Sequence, residues 1–326
     1  MKLGRRTFLH LAAGAVALPA VTRIARAQAY PSRPVRVIVP FAPGGQTDVV
    51  ARLIAQKLSD RLGKQFYIEN AAGAGGNIGA ARAAQAAPDG YTILFIDAIG
   101  FTANPNLYST ISYDPVKDFD AVGIGAITMQ VLAVHPSVPA QTVQELVALI
   151  KASPGKYSYG SAGVGTGAHL TGELFRTSLK LDLVHVPYGG GGPAIAAAVA
   201  GHTPLSFGSA AATIPQHQEG KLRALAVGGN KRLKGLPSIP TFTEVGYPVD
   251  CNAVVGVLAP ANTPKDIIAL LNREIAAAVT PPDVQERLTT LGFETATATP
   301  DELAAFLKAE IPKWAGVIQA AGIKAN

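Results

Sequence analysis

Cysteine is almost missing from this chain. Cys251 is the only one in 326 residues, so no internal disulfide can form. A chain of this length buries enough apolar surface to need none, and Cys251 reads as a small buried apolar residue. Histidine is scarce too: the six present include no HxxxH or HExxH pair, so no metal is expected. Charged residues make up 15% and aromatics 6%, with no basic patch interleaved with aromatics, and nucleic acid is not an expected partner. Long apolar runs are also missing. Nearly half the chain is hydrophobic, but 34 glycines and 24 prolines cut it into short segments. That suits a soluble α/β protein and argues against several membrane spans.

What basic excess exists sits at the front. Lys2, Arg5, Arg6, Arg23 and Arg26 supply five of the formal +6, leaving +1 for the rest. Arg5-Arg6-Thr7-Phe8-Leu9, an apolar run over residues 9–20 and the small-x-small site Ala27-Gln28-Ala29 predict a twin-arginine signal peptide over residues 1–29. The expected location is the periplasm. An uncleaved N-terminal anchor is the alternative.

Residues 36–52, RVIVPFAPGGQTDVVAR, organise the remainder. Val35, Val37, Ile38 and Val39 predict a buried strand, which Pro43-Gly44-Gly45 ends. Thr47 or Asp48 is the expected cap of a helix carrying Val49, Leu53, Ile54 and Leu58 on one side. A strand, a glycine loop and a helix start gather free N–H groups and a positive helix end at one point. This is an anion site, for carboxylate or phosphate, unless the loop is only a tight turn. Further strands at 66–69 and 91–96 complete βαβαβ, half of a doubly wound sheet. Gly73, Gly75 and Gly79 imitate a dinucleotide fingerprint only loosely, and no cofactor is expected.

Residues 104–117, rich in Asn, Pro, Tyr and Asp, read as a surface connection. Apolar runs at 122–127 and 131–134 predict a strand passing between domains, and 254–258 one that crosses back. The opening layout then returns: Tyr157-Ser158-Tyr159 as strand, GSAGVGTG over 160–167 as loop, and a helix start at Thr166. Strands follow at 183–186, 205–207 and 222–227. Thr142-x-x-Glu145 and Thr299-x-x-Glu302 are capping boxes, and Pro312 is expected to kink the last helix.

No catalytic set stands out. Ser161 lacks the register of a nucleophile elbow, since glycine sits directly before it. His169, one turn after Thr166, faces either the loop or an interdomain cleft. Asp48 is better as a cap than as a ligand contact, because a carboxylate aimed at an anion repels it. Asp97 is read as a solvated loop or capping residue; facing the cleft it would favour a ligand amine or hydroxyl.

The motifs carry a resemblance over essentially the whole chain after the leader. Pro40-Phe41-Ala42-Pro43-Gly44-Gly45 with Thr47-Asp48, Gly73-Ala74-Gly75-Gly76-Asn77-Ile78-Gly79, Pro88-Asp89-Gly90-Tyr91-Thr92 and Tyr113-Asp114-Pro115 come first. Tyr159-Gly160-Ser161-Ala162-Gly163 with His169-Leu170, and His185-Val186-Pro187-Tyr188, follow. The chain resembles the Bug family, the periplasmic (TctC-like) receptors of tripartite tricarboxylate transporters. The resemblance implies a periplasmic-binding-protein type II Venus flytrap, two doubly wound α/β domains joined by crossing hinge strands. Residues 30–128 and 252–326 would form one domain and 129–251 the other.

It also implies a non-catalytic receptor for a dicarboxylate, tricarboxylate, aromatic carboxylate or acidic amino acid, delivered to a membrane permease; a monomer is expected, since no coiled coil or spare apolar stretch demands a partner. A sensor presenting ligand to a membrane kinase, or an enzyme on a doubly wound fold, are the alternatives. Carried over by motif, Gly44, Gly45, Thr47 and Asp48 lie on one jaw and Ser161, Ala162, Gly163, Thr166 and His169 on the other. Asp97, Ala98, Tyr188, Gly189, Phe207 and Ser209 extend the pocket. Gln46, where many relatives carry glycine or proline, and residues 96–99 depart from the family where selectivity is set.

Overall fold

Strand β1, Val35–Val39, is almost wholly buried, as its β-branched run suits. The computed structural model containing it describes residues 30–229, 231–249 and 251–325; the expected signal peptide lies outside them. Helix α1, Gln46–Leu62, follows and buries Val50, Ile54 and Leu58, spaced four apart on one face. It ends on Gly63, whose φ of +67° lets its N–H turn back to the Ser59 carbonyl. Strand β2 (Phe66–Asn70), helix α2 (Asn77–Ala84), strand β3 (Thr92–Asp97) and helix α3 (Ala98–Leu107) complete the first half. Residues 104–107 therefore belong to a helix rather than a surface connection. Asn104 is buried and donates to Asn77 Oδ1, which lets a polar, proline-containing stretch stay inside.

The long strand β4, Phe119–Val134, joins both predicted apolar runs into one. Helix α4 (Val143–Ala152), strand β5 (Ser158–Ser161), helix α5 (Gly167–Ser178) and strand β6 (Val184–Pro187) come next. Helix α6 (Gly191–Val199), strand β7 (Leu205–Ser209), helix α7 (Ala210–Gln218) and strand β8 (Arg223–Gly228) follow. Strand β9 (Asn252–Pro260) returns to β3 and β4. Helices α8 (Lys265–Val279) and α9 (Pro282–Thr290), the short strand β10 (Phe293–Glu294) and helix α10 (Pro300–Ala321) end the chain.

One mixed sheet runs β2-β1-β3-β9-β4-β7-β5-β6, with β8 and β10 also on β4. Both ends are parallel, β1 with β2 and β3, β5 with β6 and β7. The antiparallel centre is made by β4 and β9. Residues 119–129 of β4 pair with β9, while residues 130–134 pair with β7 and β8, so β4 carries the chain from one half of the sheet to the other. Apolar cores lie in both halves, one holding Tyr159, Phe175, Phe207 and Phe242, the other Ile38, Leu94, Phe101 and Phe119. A third joins Trp314 of α10 to Ile99 of α3 and Leu170 of α5. Arg33–Asn326 forms one compact unit.

The two capping boxes differ. Thr299 and Glu302 cap each other reciprocally at the start of α10. At α4, Thr142 accepts from the Glu145 N–H, but the Glu145 carboxylate takes the N–H of Gln141, one residue further out. Helix α10 runs on through Pro312 without a break. Thr299→Ala should cost about 1 kcal/mol in urea unfolding, with little effect on the distant cleft.

Candidate functional site

The two glycine loops, read alike in the sequence, differ in where their donors go. At α1 the N-cap is Gly45, and no side chain caps the helix. Neither Thr47 nor Asp48 is the cap; both sit inside the first turn. The first-turn N–H groups of Gln46, Thr47 and Asp48 have no acceptor within the helix. At α5, by contrast, Thr166 is the N-cap and accepts from the His169 N–H at 3.4 Å, and the Gly167 N–H donates to Asp97 Oδ2 at 3.1 Å. That second start is largely consumed by the protein itself. A further uncapped start is α6, whose N-cap is Gly190.

The α1 and α6 starts line one cleft, open to solvent at its mouth. Its walls come from the β1–α1 loop and Asp97 on one side, and from the starts of α5 and α6 and strand β7 on the other. Gln130 of β4 sits between them, and its Nε2 lies 3.5 Å from Gln46 Oε1. Three polar atoms on these walls are buried without a partner: Thr47 Oγ1, Gln130 Oε1 and Ser206 Oγ, on side chains each 1% exposed. Buried polar groups are normally paired, so three orphans on one cleft are a demand for a ligand or ordered water. Phe41, Ile195 and Phe207 supply apolar surface.

The model of the tripartite tricarboxylate transporter family receptor, TctC, matches residues 50–323. This chain belongs to that family. It is 36% identical over 304 residues to protein BugT of Bordetella pertussis, covering 91% of this chain and 92% of BugT. It is also similar to an R. palustris protein solved with adipate, at 35% identity and a TM-score of 0.86 over 90% of this chain and 99% of that one. MatC from Rhodopseudomonas palustris, solved with bound malate, gives 34% identity and a TM-score of 0.83 over 89% and 100%. The resemblance to Bug receptors and the α/β solute-binding fold are thereby borne out.

Of the residues named from the sequence, Gly45, Thr47, Asp97, Ala162, Thr166, Phe207 and Ser209 line the TctC-family receptor's cleft. Asp48 stands behind the loop. Its Oδ2 accepts from the Gly44 N–H and Arg52 Nε, both at 2.9 Å, and Oδ1 from Asn70 Nδ2 at 2.8 Å. Gly44 therefore gives its N–H to Asp48, and its φ of +84° serves the turn. Burial pulls the Asp48 pKa up, but Arg52, the Gly44 N–H and Asn70 outweigh it and hold the carboxyl below its ordinary value. Ala98 is buried in α3, Gly163 and Tyr188 pack against each other, and Gly189 is exposed. None of these four lines the cleft.

Ser161 of β5 and His169 of α5 meet the half-buried His185 of β6 in one cluster. Ser161 Oγ lies 2.7 Å from His185 Nε2, the His169 and His185 rings stack at 4.1 Å, and His169 Nδ1 accepts from the Gly165 N–H. The serine–histidine spacing suits a nucleophile and base, but Ser161 is fully buried and away from the cleft. Its oxygen accepts from the Gly163 N–H, which shapes the loop. Asp97 is a cap, accepting from Ile99 N–H, yet it is 4% exposed rather than solvated. Burial pushes its pKa up against three backbone N–H groups, of Gly167, Ile99 and Gly100, that pull it down.

Sequence reasoning missed Gln130, Ser206 and Gly191. Gln130 interrupts an apolar strand pattern, a usable signal. Ser206 and Gly191 lie on stretches the resemblance already brings to the pocket, beside Phe207 and Gly189; which residues of each face the cleft is decided by the fold.

Proposed function

We propose that this chain is a non-catalytic, monomeric periplasmic receptor, exported by its twin-arginine leader. It captures a small organic carboxylate and delivers it to a permease of the tripartite tricarboxylate type. Residues 30–128 with 252–326 act as one jaw and 129–251 as the other, hinged through β4 and β9. The observation that carries the reading is the cleft itself. Uncapped helix starts at Gly45 and Gly190 meet there with the orphaned oxygens of Thr47, Gln130 and Ser206. Helix starts favour anions, and closing the cleft over a ligand strengthens every such contact by excluding water. The family match and the adipate- and malate-bound relatives support a carboxylate as the anion.

A thermal-shift screen of amino acids and of mono-, di-, tri- and aromatic carboxylates tests it. Ligand at about 100 times its dissociation constant adds about 2.7 kcal/mol, and a screen flat across all the acids would sink the reading. Thr47→Val makes a sharper test. It removes an orphaned hydroxyl, so the ligand-free protein should be as stable as wild type or slightly more so. The acid that scores in the screen should bind about five-fold more weakly to the variant, close to 1 kcal/mol. Unchanged affinity would remove Thr47 from the site.

A further inference from the structure

One wall of the cleft carries a carboxyl group. Asp97 lines it, between the first loop and the start of α5. The carboxylate is pinned there: Oδ1 accepts from the Ile99 N–H at 3.2 Å and Oδ2 from the Gly167 N–H at 3.1 Å. Both of its oxygens accept from backbone N–H groups, at the starts of α3 and α5, and these work against the burial that pushes its pKa up. What its geometry offers a ligand is acceptor lone pairs. No lysine, arginine or histidine is among the described residues lining the cleft. The other polar groups there, Thr47, Gln130 and Ser206 among them, are neutral.

A first carboxylate has a place to go, at the uncapped starts of α1 and α6. A second would meet Asp97, whose oxygens are set as acceptors, or the apolar surfaces of Ile195 and Phe207, where an unpaired anion is expensive to bury. A hydroxyl or ammonium in the same place would donate to Asp97 and need no cation from the protein. Resting on the carboxylate-receptor reading, we infer that this receptor takes a hydroxy- or amino-monocarboxylate whose donor pairs with Asp97, and discriminates against dicarboxylates. Asp97 is then its specificity-determining residue.

Titration calorimetry on the purified protein at neutral pH with matched acids tests this. The sets are succinate, 4-hydroxybutyrate and 4-aminobutyrate; glutarate with the 5-hydroxy and 5-amino acids; and adipate with the 6-hydroxy and 6-amino acids. At the length that binds best, the hydroxy or amino acid should be at least about tenfold tighter than the dicarboxylate. Asp97→Asn, which keeps a capping oxygen, should erase that preference. A dicarboxylate binding as tightly as its matched partners, or tighter, overturns the inference while leaving the receptor reading intact. So does an unchanged preference in a folded Asp97→Asn protein. Should that variant fail to fold, the wild-type ratio still decides. Binding of no acid at any length overturns the carboxylate reading and this inference with it.

Discussion

Acidification from about pH 6.5 to about pH 4 will cost this receptor several kcal/mol of stability, through two histidines that do not touch its ligand cleft. Burial first, and the Arg176 charge second, push His169 down to about 4. Burial and the neighbouring His169 push His185 down to about 3, against the opposing pull of Glu173. Both rings are therefore neutral in the folded protein at neutral pH, and Tyr159 also stacks on His185, at 4.9 Å. An unfolded chain takes a proton on each near its ordinary value of 6.5; the folded chain does so on His169 only near 4. Within that window the unfolded state binds more protons, so stability is lost as pH falls. For His169 this amounts to about 3 kcal/mol, at about 1.4 kcal/mol per pH unit.

The structural reason lies in the loop. A protonated His169 cannot accept the Gly165 N–H, so charging the ring also frees the turn between Gly163 and Thr166. Urea unfolding at intervals between pH 7 and 4 measures the slope. His169→Gln keeps an acceptor but cannot titrate, and should flatten the profile by about half. A wild-type profile that is level over this range would contradict the neutral pair.

The same cluster marks where the sequence could be read and where it could not. Strands such as Val35–Val39 and Thr92–Asp97 were legible because they are buried on both faces, and continuous apolar runs have few other uses. The glycine loops were legible as helix starts, but not as different ones. Whether a start is open depends on a partner far away in sequence. Asp97 closes α5 across 70 positions, and nothing near Thr166 announces that. His169 was placed between loop and cleft by its helical spacing, which fixes a face but not what lies opposite. His185, brought in by β6, turns that face into one side of a stack. Residues 104–107 misled for a related reason. Asn and Pro are turn formers locally, and tertiary hydrogen bonds from Asn104 to Asn77 and to the Gly75 carbonyl override that preference.

Asp48→Ala is expected to damage both stability and ligand capture, though Asp48 does not line the cleft. Its carboxylate gathers the Gly44 N–H, Arg52 and Asn70, and Asn70 in turn donates to the Phe41 carbonyl. One acidic side chain thus fixes both ends of the loop whose residues Phe41, Ala42 and Gly45 form the cleft wall. Hydrogen bonds to a charged group contribute about 1.5–3 kcal/mol each when buried. Arg52 is half exposed, so its share is discounted for solvent screening, and a total near 3 kcal/mol is expected. With the loop untied, the α1 start no longer faces a fixed point, and affinity for the screened acid should fall at least about tenfold.

Asp48→Asn separates charge from tether. It can still accept the Gly44 N–H, but it loses the ion pair and turns an amide nitrogen toward Asn70 Nδ2, so it should lose about 2 kcal/mol and keep more affinity than Asp48→Ala. In the wild type this tether outlasts the histidines on acidification. The Asp48 pKa is lowered on folding, so its contribution is fully present above the ordinary 3.8 and is lost only below it. If Asp48→Ala binds the acid as tightly as wild type, the loop does not need its tether. The donors of α1 would then have to be placed by the helix alone.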